Sequence, residues 1–305
     1  MALRGTMSNY TIRSLKTLEE LKAVERLQRL IWDDPTTVIY HHMLISLARN
    51  GGSILGAFHG EQLIGFVIGY LGLEAPESER PAMANLKLVS QRMAVLPEYR
   101  GTGIGYELKL AQRRFAVERG IRLITWTFDP LISRNAHLNI RKLGAICQIY
   151  YRDYYGSDDS ALVKLHSSDR LLTEWWVTSN RVEQRVSGRR SSLSLQQYLD
   201  GNAVILNPTT VNAQGLPVPA ERSETPHSTL TLFEIPTDYD AIIRYDSGLA
   251  QAWRAHSREA LEQLLNQGYV ITDFIHGTHE GRERSFYVLS YGEYSEIRVN
   301  RFNRN

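Results

Sequence analysis

Apolar residues recur three and four apart at Leu18, Leu21, Val24, Leu27, Leu30 and Ile31, which predicts a helix whose start is marked by a Thr17/Glu20 capping box. Asp34-Pro35 interrupts that pattern, and a second helical stretch runs from Tyr40 to Arg49 until Asn50-Gly51-Gly52 stops it. The period then changes. Ser53 to Phe58 and Gln62 to Leu73 are β-rich runs joined by His59-Gly60-Glu61, a hairpin signal, and Glu74 to Pro81 reads as a loop. Leu86 to Val95 predicts a strand, Pro97 to Thr102 a turn, and Gly103 to Arg119 a helix ended by Gly120. A strand at Leu123 to Phe128, a helix at Ser133 to Leu143 closed by Gly144, and strands at Ala145 to Tyr154 and Arg170 to Val177 follow, with a short strand at Tyr10 to Arg13 before them all.

Helices alternating with strands, with hairpins at both ends, predict a mixed α/β sheet. Past Arg181 the pattern weakens: Arg185 to Leu195 is rich in Ser and Arg, and Pro208 to His227 in Pro, Thr, Ser and Asn, as exposed connections are. Regular elements resume at Thr229 to Ile235, at a helix from Leu249 to Gln267 ended by Gly268, and at strands Tyr269 to Phe274 and Ser285 to Leu289. Two domains are therefore expected, 8–180 and a smaller α+β extension over 181–305.

Composition narrows the function classes. A chain of 305 residues that is 43% hydrophobic and 22% charged has the means to bury a core, and a net charge of +2 offers no footprint for a nucleic acid. Residues to Asn180 carry 22 basic and 18 acidic side chains and the rest 13 and 15, so an anionic ligand is better suited to the first part. Cys147 is the only cysteine, no His-Glu-x-x-His pattern exists, and His41 and His42 point to different helix faces, so no metal site is expected. Gly-x-Ser-x-Gly is absent too. Met1 to Ser8 lacks a signal-length apolar run and no window reaches about 18 apolar residues, so a cytoplasmic protein without a membrane role is expected.

The chemistry concentrates in Val95-Leu-Pro-Glu-Tyr-Arg-Gly-Thr-Gly-Ile-Gly105, where a strand passes through a proline turn into three alternating glycines and a helix. Without Cβ atoms at Gly101, Gly103 and Gly105, backbone N–H groups of Thr102 and Ile104 and their neighbours can converge on a ligand at the positive end of the helix dipole. Phosphate oxygens suit such a cradle, with Arg100 at its rim. A dinucleotide fingerprint would need glycine where Tyr106 or Leu108 stands, and a P-loop would need Gly-Lys-Ser or Gly-Lys-Thr. Arg-x-x-Gly-x-Gly remains, with a ligand-free flexible helix entry as its competitor.

This stretch resembles motif A of the GNAT superfamily of acyl-CoA-dependent N-acyltransferases, a strand, a V-x-P-x-x-R-G-x-G-x-G turn and a helix that hold the pyrophosphate of coenzyme A. The resemblance covers about Tyr10 to Val177. Leu96-Pro-Glu-Tyr-Arg-Gly, Ile124-Thr-Trp-Thr-Phe-Asp-Pro, Ser133-Arg-Asn-Ala and Asn139-Ile-Arg-Lys-Leu-Gly-Ala look like a bacterial branch with a carboxy-terminal extension, some members of which are assigned as amino-acid N-succinyltransferases. It implies a GNAT fold, acetyl-CoA or another acyl-CoA as cosubstrate, and a small primary amine as acceptor, attacked directly through a tetrahedral intermediate. It further implies that Arg92, Met93, Ala94 and Val95 pair with the pantetheine arm as an added strand would, and that N–H groups near Ala94 and Val95 stabilise the oxyanion.

Aligned on the superfamily's motif B, the chain has Ser133 where Asn is usual, with Asn135 two residues away, and Ile140 where the proton-donating Tyr is usual. Isoleucine gives no proton, which keeps open a second reading, a non-catalytic coenzyme A-binding regulatory module. An amine with a pKa near 10 must lose a proton before it attacks. Asp129, at the end of its strand, is the candidate base or else an Asx-turn or cap residue; Glu98 has a weaker case. Tyr151, among Tyr150, Tyr154 and Tyr155, is the candidate acid or else packing. Arg134 and Arg141, seven apart on one helix, could bind a carboxylate or be solvated charges. Trp126 and Arg134 are the candidate substrate contacts; Trp126, Trp175 and Trp176 would otherwise fill the core or a seam. Cys147 is expected to be an inert buried thiol. The extension would cover part of the acceptor site or form a homodimer contact.

Overall fold

The computed structural model describes residues 10–32, 34–74, 81, 85–156 and 167–292, so most of the loop expected over Glu74 to Pro81 lies outside the described residues. The chain packs as two compact units, one holding the residues up to Trp126 together with Trp176–Thr178 and the other most of the remainder. The main division between these units falls at Trp126/Thr127, because the segment after Phe128 shares its hydrophobic core with residues 206–289.

The first unit is built on strands β1 (Tyr10–Ser14), β2 (Ser53–His59), β3 (Gln62–Leu73), β4 (Leu86–Val95) and the start of β5 (Leu123–Phe128), in that spatial order. Neighbours are antiparallel except β4 and β5, which run parallel. Helix α1 (Leu18–Ile31) begins at the capping box read from Thr17 and Glu20 and turns Leu21, Val24 and Leu27 into the core. Each such leucine contributes about 1.5–3 kcal/mol by leaving water. Helices α2 (His41–Arg49) and α3 (Ile104–Val117) add Leu44, Ile104 and Leu108, which pack with Phe66, Val67 and Ile68 of β3.

The second unit contains the one-turn α4 (Ser133–Ala136), β6 (Ile146–Tyr151), β7 (Arg170–Trp176), α5 (Asn180–Val186) and α6 (Leu195–Asp200). Two-residue strands β8 (Val204–Ile205), β9 (Thr210–Val211) and β10 (Pro217–Val218) follow, then β11 (Leu230–Ile235), α7 (Tyr239–Tyr245), α8 (Ser247–Asn266) and the long hairpin β12 (Tyr269–His279) and β13 (Arg282–Tyr291). Its strands are ordered β7-β6-β12-β13-β11-β8. Helix α8 buries Trp253, Leu261, Leu264 and Leu265 beside Phe233, Phe274 and Tyr287. The expected helix at Ser133 to Leu143 continues past α4 as a π-helical turn, His137–Lys142. Helices α5 and α6 replace part of what reads as exposed connection, each opened by a serine cap, Ser179 and Ser194.

Among the described residues no helix is long and apolar enough to cross a membrane, and no group of three or more His, Cys, Asp or Glu side chains is placed to hold a metal.

Candidate active site

The glycine turn has the geometry its sequence implies. Gly101 and Gly103 adopt φ of 79° and 97°, and Gly103 is the left-handed N-cap of α3 with no side-chain cap. The first intrahelical bond recorded there is Glu107 N–H to Gly103 O at 3.1 Å, so the preceding amides keep their donors for another partner. A Cβ at Gly101 or Gly103 would meet nothing within 4 Å, so backbone conformation and not crowding requires glycine here. Gly105 lies against Met93 of β4, 3.6 Å from where its Cβ would be. Arg100 is exposed and its Nε donates to Val95 O at 3.2 Å, while the Thr102 hydroxyl donates to Tyr99 O at 2.7 Å, which stiffens the loop. An open, cationic, donor-rich concavity at a helix start fits a diphosphate.

Strand β4 pairs with β3 along its length, from Leu86 opposite Leu73 to Val95 opposite Gly65, but with one register shift: Ser90 faces Gly69 and Arg92 faces Ile68, which leaves Gln91 as the extra residue of a bulge. On its other side β4 pairs with β5 only at Leu88–Ile124 and Val89–Thr125. Beyond the bulge, Met93 to Val95 have no ladder partner on that side within this unit among the described residues. Such an edge accepts an extended chain.

A cavity of about 470 Å³ opens beside the bulge. Val38, Ile39 and Tyr40 form one wall, and Met43 and Leu47 of α2 continue it. Tyr70 of β3 and the bulge residue Gln91 close the opposite side. Positions 40, 43 and 47 are three and four apart, which puts them on one face of α2.

The wall is tied down by side chains from α1 and β4. Gln28, fully buried, donates through Nε2 to Ile39 O at 3.0 Å and accepts Ile39 N–H at 2.9 Å, as a neighbouring strand would. The Arg92 guanidinium donates to Thr37 O and lies 4.9 Å over the Trp32 ring. Glu25 supplies the cap that Tyr40 lacks: its Oε2 accepts His41 N–H at 2.8 Å and lies 2.7 Å from His41 Nδ1. These bonds, with Arg29 at 3.0 Å, hold the Glu25 carboxyl down at about 2.

Behind the bulge, Lys109 of α3 is 3% exposed. Its Nζ donates to Ser90 Oγ at 2.7 Å and lies 3.6 Å over the Trp126 ring. Burial pushes its pKa well below the ordinary lysine value. Trp126, expected as a substrate contact or as core, is buried with its ring under Lys109.

Several candidates are committed elsewhere within the second unit. Asp129 accepts Arg254 Nη1 and Nη2 at 2.9 and 2.7 Å and Leu131 N–H at 2.9 Å, and both side chains are buried. A carboxylate held bidentately in a turn is an anchor and not a free base, so the cap reading replaces the catalytic one. Arg134 pairs with Asp240 at 2.9 Å, and Arg141 donates to Asp273 Oδ2 at 2.8 Å and to Leu193 O at 2.7 Å, so both guanidiniums answer internal partners. Ser133 is buried, its hydroxyl 3.1 Å from that of Ser285, and the Asn135 amide N–H donates to Ile132 O at 2.9 Å. Ile140 is fully buried in the core.

The Tyr150 hydroxyl donates to Asp169 at 2.6 Å, and desolvation, with the nearby Asp169 charge, pushes its pKa up. Tyr151 stacks at 5.2 Å on Tyr154, which meets Tyr155 at 4.8 Å, so the tyrosines form a packed row. Cys147 is fully buried, and desolvation raises its thiol pKa. Trp175 fills the core and donates to Leu143 O at 2.8 Å.

Gln28, Gln91, Lys109 and the cavity wall are absent from the residues singled out by sequence. Gln28 and Lys109 did leave a signal, since each is a polar residue on the inward face of an otherwise apolar helix. A bulge and a cavity leave none at the level of motif spacing.

Residues 18–144 match the model of the Acetyltransferase (GNAT) family. The match spans somewhat under half of the chain and identifies residues 18–144 as a GNAT-type domain, the class of an acyl-CoA-dependent enzyme. No curated protein matches the chain. Among solved structures it is similar to the ribosomal-protein-S18-alanine N-acetyltransferase from Escherichia coli, with 16% identity over 56% of this chain and 95% of that one and a TM-score of 0.43. It is also similar to Arabidopsis thaliana NAA60 in complex with a bisubstrate analogue, with 18% identity over 55% and 98% and a TM-score of 0.45. An N-acetyltransferase from Staphylococcus aureus Mu50 gives 18% identity over 56% and 100% and a TM-score of 0.43.

Proposed function

We propose that this protein is an N-acyltransferase that moves an acetyl or succinyl group from coenzyme A directly onto a small primary amine, with an amino acid as the acceptor its motifs resemble most. The observation that carries the reading is the conjunction, in one compact unit, of a left-handed glycine cap at the start of α3 with the end of β4, Met93 to Val95, beyond its Leu88–Ile124 and Val89–Thr125 pairs with β5. The donor amides after Gly103, with Arg100 at the rim, would hold the diphosphate, and residues 92–95 would pair with the pantetheine arm. Bound acyl-CoA supplies the thioester. The backbone N–H groups of this segment, near Ala94 and Val95, would stabilise the oxyanion as the amine nitrogen bonds to the carbonyl carbon and the carbon–sulfur bond breaks. The amine's proton is surrendered on attack and the departing thiolate takes one up, both exchanged with solvent at the open side of the cavity.

Gly103→Val tests the reading. Valine is costly at a φ of 97°, so acetyl-CoA affinity should fall by on the order of tenfold or more with an unchanged circular dichroism spectrum. Unchanged affinity would remove the diphosphate cradle. The buried Ile140, placed where a proton donor is usual, favours the second reading of a coenzyme A-binding module without turnover. Acyl-CoA binding with no thiol release on any amine would select it.

A further inference from the structure

The cavity beside the β4 bulge carries more information than its position. Among the described residues its lining holds aliphatic side chains at Val38, Ile39, Leu47 and Met43, aromatic ones at Tyr40 and Tyr70, and one amide at Gln91, with no Asp, Glu, Lys or Arg among them. A charged substituent seated against this lining would lose part of its hydration and find no counter-charge there, a cost that an apolar group does not bear. Two cationic groups adjoin the wall: Arg29, 5.4 Å from the Tyr40 ring centroid and paired with Glu25, and Arg92, which donates to Thr37 O. A further positive charge on the ligand would be repelled.

The pocket is also set in shape. Gln28 fixes Ile39 by two bonds, Arg92 holds Thr37, and Glu25 caps α2, so the wall need not order itself around a ligand. At about 470 Å³ it can enclose an aryl-alkyl or branched alkyl group, within the usual range for small-molecule sites. The Tyr70 hydroxyl and the Gln91 amide are side-chain groups of the lining that would orient it, while the Tyr40 side chain already hydrogen-bonds Arg29.

We infer that the acceptor is a primary amine bearing an uncharged apolar substituent of aryl-alkyl or branched alkyl size, which fills this cavity while its amine faces the bulge of β4. This rests on the acyltransferase reading for its chemistry but not for its binding, and the two can fail separately. Phenethylamine and putrescine serve as probes, each titrated calorimetrically into the full-length protein in the presence of coenzyme A and each assayed for thiol release from acetyl-CoA.

Phenethylamine should bind at least tenfold more tightly than putrescine, a ratio typical of filling an apolar pocket. Met43→Glu, at an exposed position on the cavity rim that tolerates charge for folding, should cut phenethylamine affinity at least tenfold and leave acetyl-CoA affinity unchanged. Equal or better binding of putrescine, no binding of phenethylamine, or an affinity for it that Met43→Glu does not change would overturn the inference. Binding with this preference but no thiol release would uphold it and sink the catalytic reading instead.

Discussion

Arg92 to Val95 and Asp129 lie in different compact units, and their polar groups have opposite fates. Among the described residues of the first unit, β4 leaves its ladder with β5 before Met93, α3 begins with donor amides that no side chain caps, and the cavity next to Gln91 has no charge in its lining. The second unit closes its charges on one another. Asp129 meets Arg254, Asp169 takes Arg258 and the Tyr150 hydroxyl, Asp273 takes Arg141, Arg185 and the Tyr198 hydroxyl, and Glu234 takes Arg284. A carboxylate fully answered by its own chain has little left for a ligand. The contrast locates chemistry by what is uncommitted, and it moves the candidate site away from the acidic and tyrosine residues of the second unit toward the backbone of the first.

The sharpest way to break the comparison is Arg254→Ala. It strands Asp129 in a buried site, and a loss of about 3–5 kcal/mol in urea unfolding is expected while acetyl-CoA affinity at low temperature stays the same. Lost affinity with full stability would return Asp129 to the site.

A smaller effect is expected from Glu25→Gln, which weakens the cap on α2 by about 1 kcal/mol and raises the KM of the amine more than that of acetyl-CoA. Acid should mimic it. Glu25 titrates near 2 in the folded protein, below its ordinary value, so its contribution is complete above the unfolded pKa of 4.5 and fades as pH falls toward 2. Chemical denaturation across that range, compared with Glu25→Gln, should show the difference narrowing.

Lys109→Met should have an effect of similar size and opposite sign, a gain on the order of 1 kcal/mol near neutral pH. A lysine whose folded pKa is depressed binds fewer protons than its unfolded form, so stability rises with pH up to the unfolded value near 10.5 and levels off above it. Denaturation midpoints should therefore climb from pH 8 to 10.5 in the wild type more than in Lys109→Met.

Much of this was legible before the coordinates. The capping box at Thr17, the hairpin through Gly60, the strand Leu86–Val95 and the helix after Gly103 follow from local periodicity and turn chemistry, and each stands where the pattern predicts. The glycine turn was legible for the same reason, since positive φ leaves its mark on residue type. Partners distant in sequence were not. Asp129 finds Arg254 125 residues away and Arg141 finds Asp273 132 residues away, and no spacing rule couples them. Helices α5 and α6 were hidden by polar, serine-rich composition. The bulge at Gln91 is a one-residue mismatch between two strands, visible only once both are paired.

Gln28 gives the molecule a further property. One amide side chain splints the stretch that bounds the cavity, and it does so from a helix that contributes nothing to the glycine turn. In the proposed reading, exchanging that residue would re-cut the berth for the nucleophile and leave the grip on the donor's diphosphate intact, so that donor and acceptor preferences could drift apart.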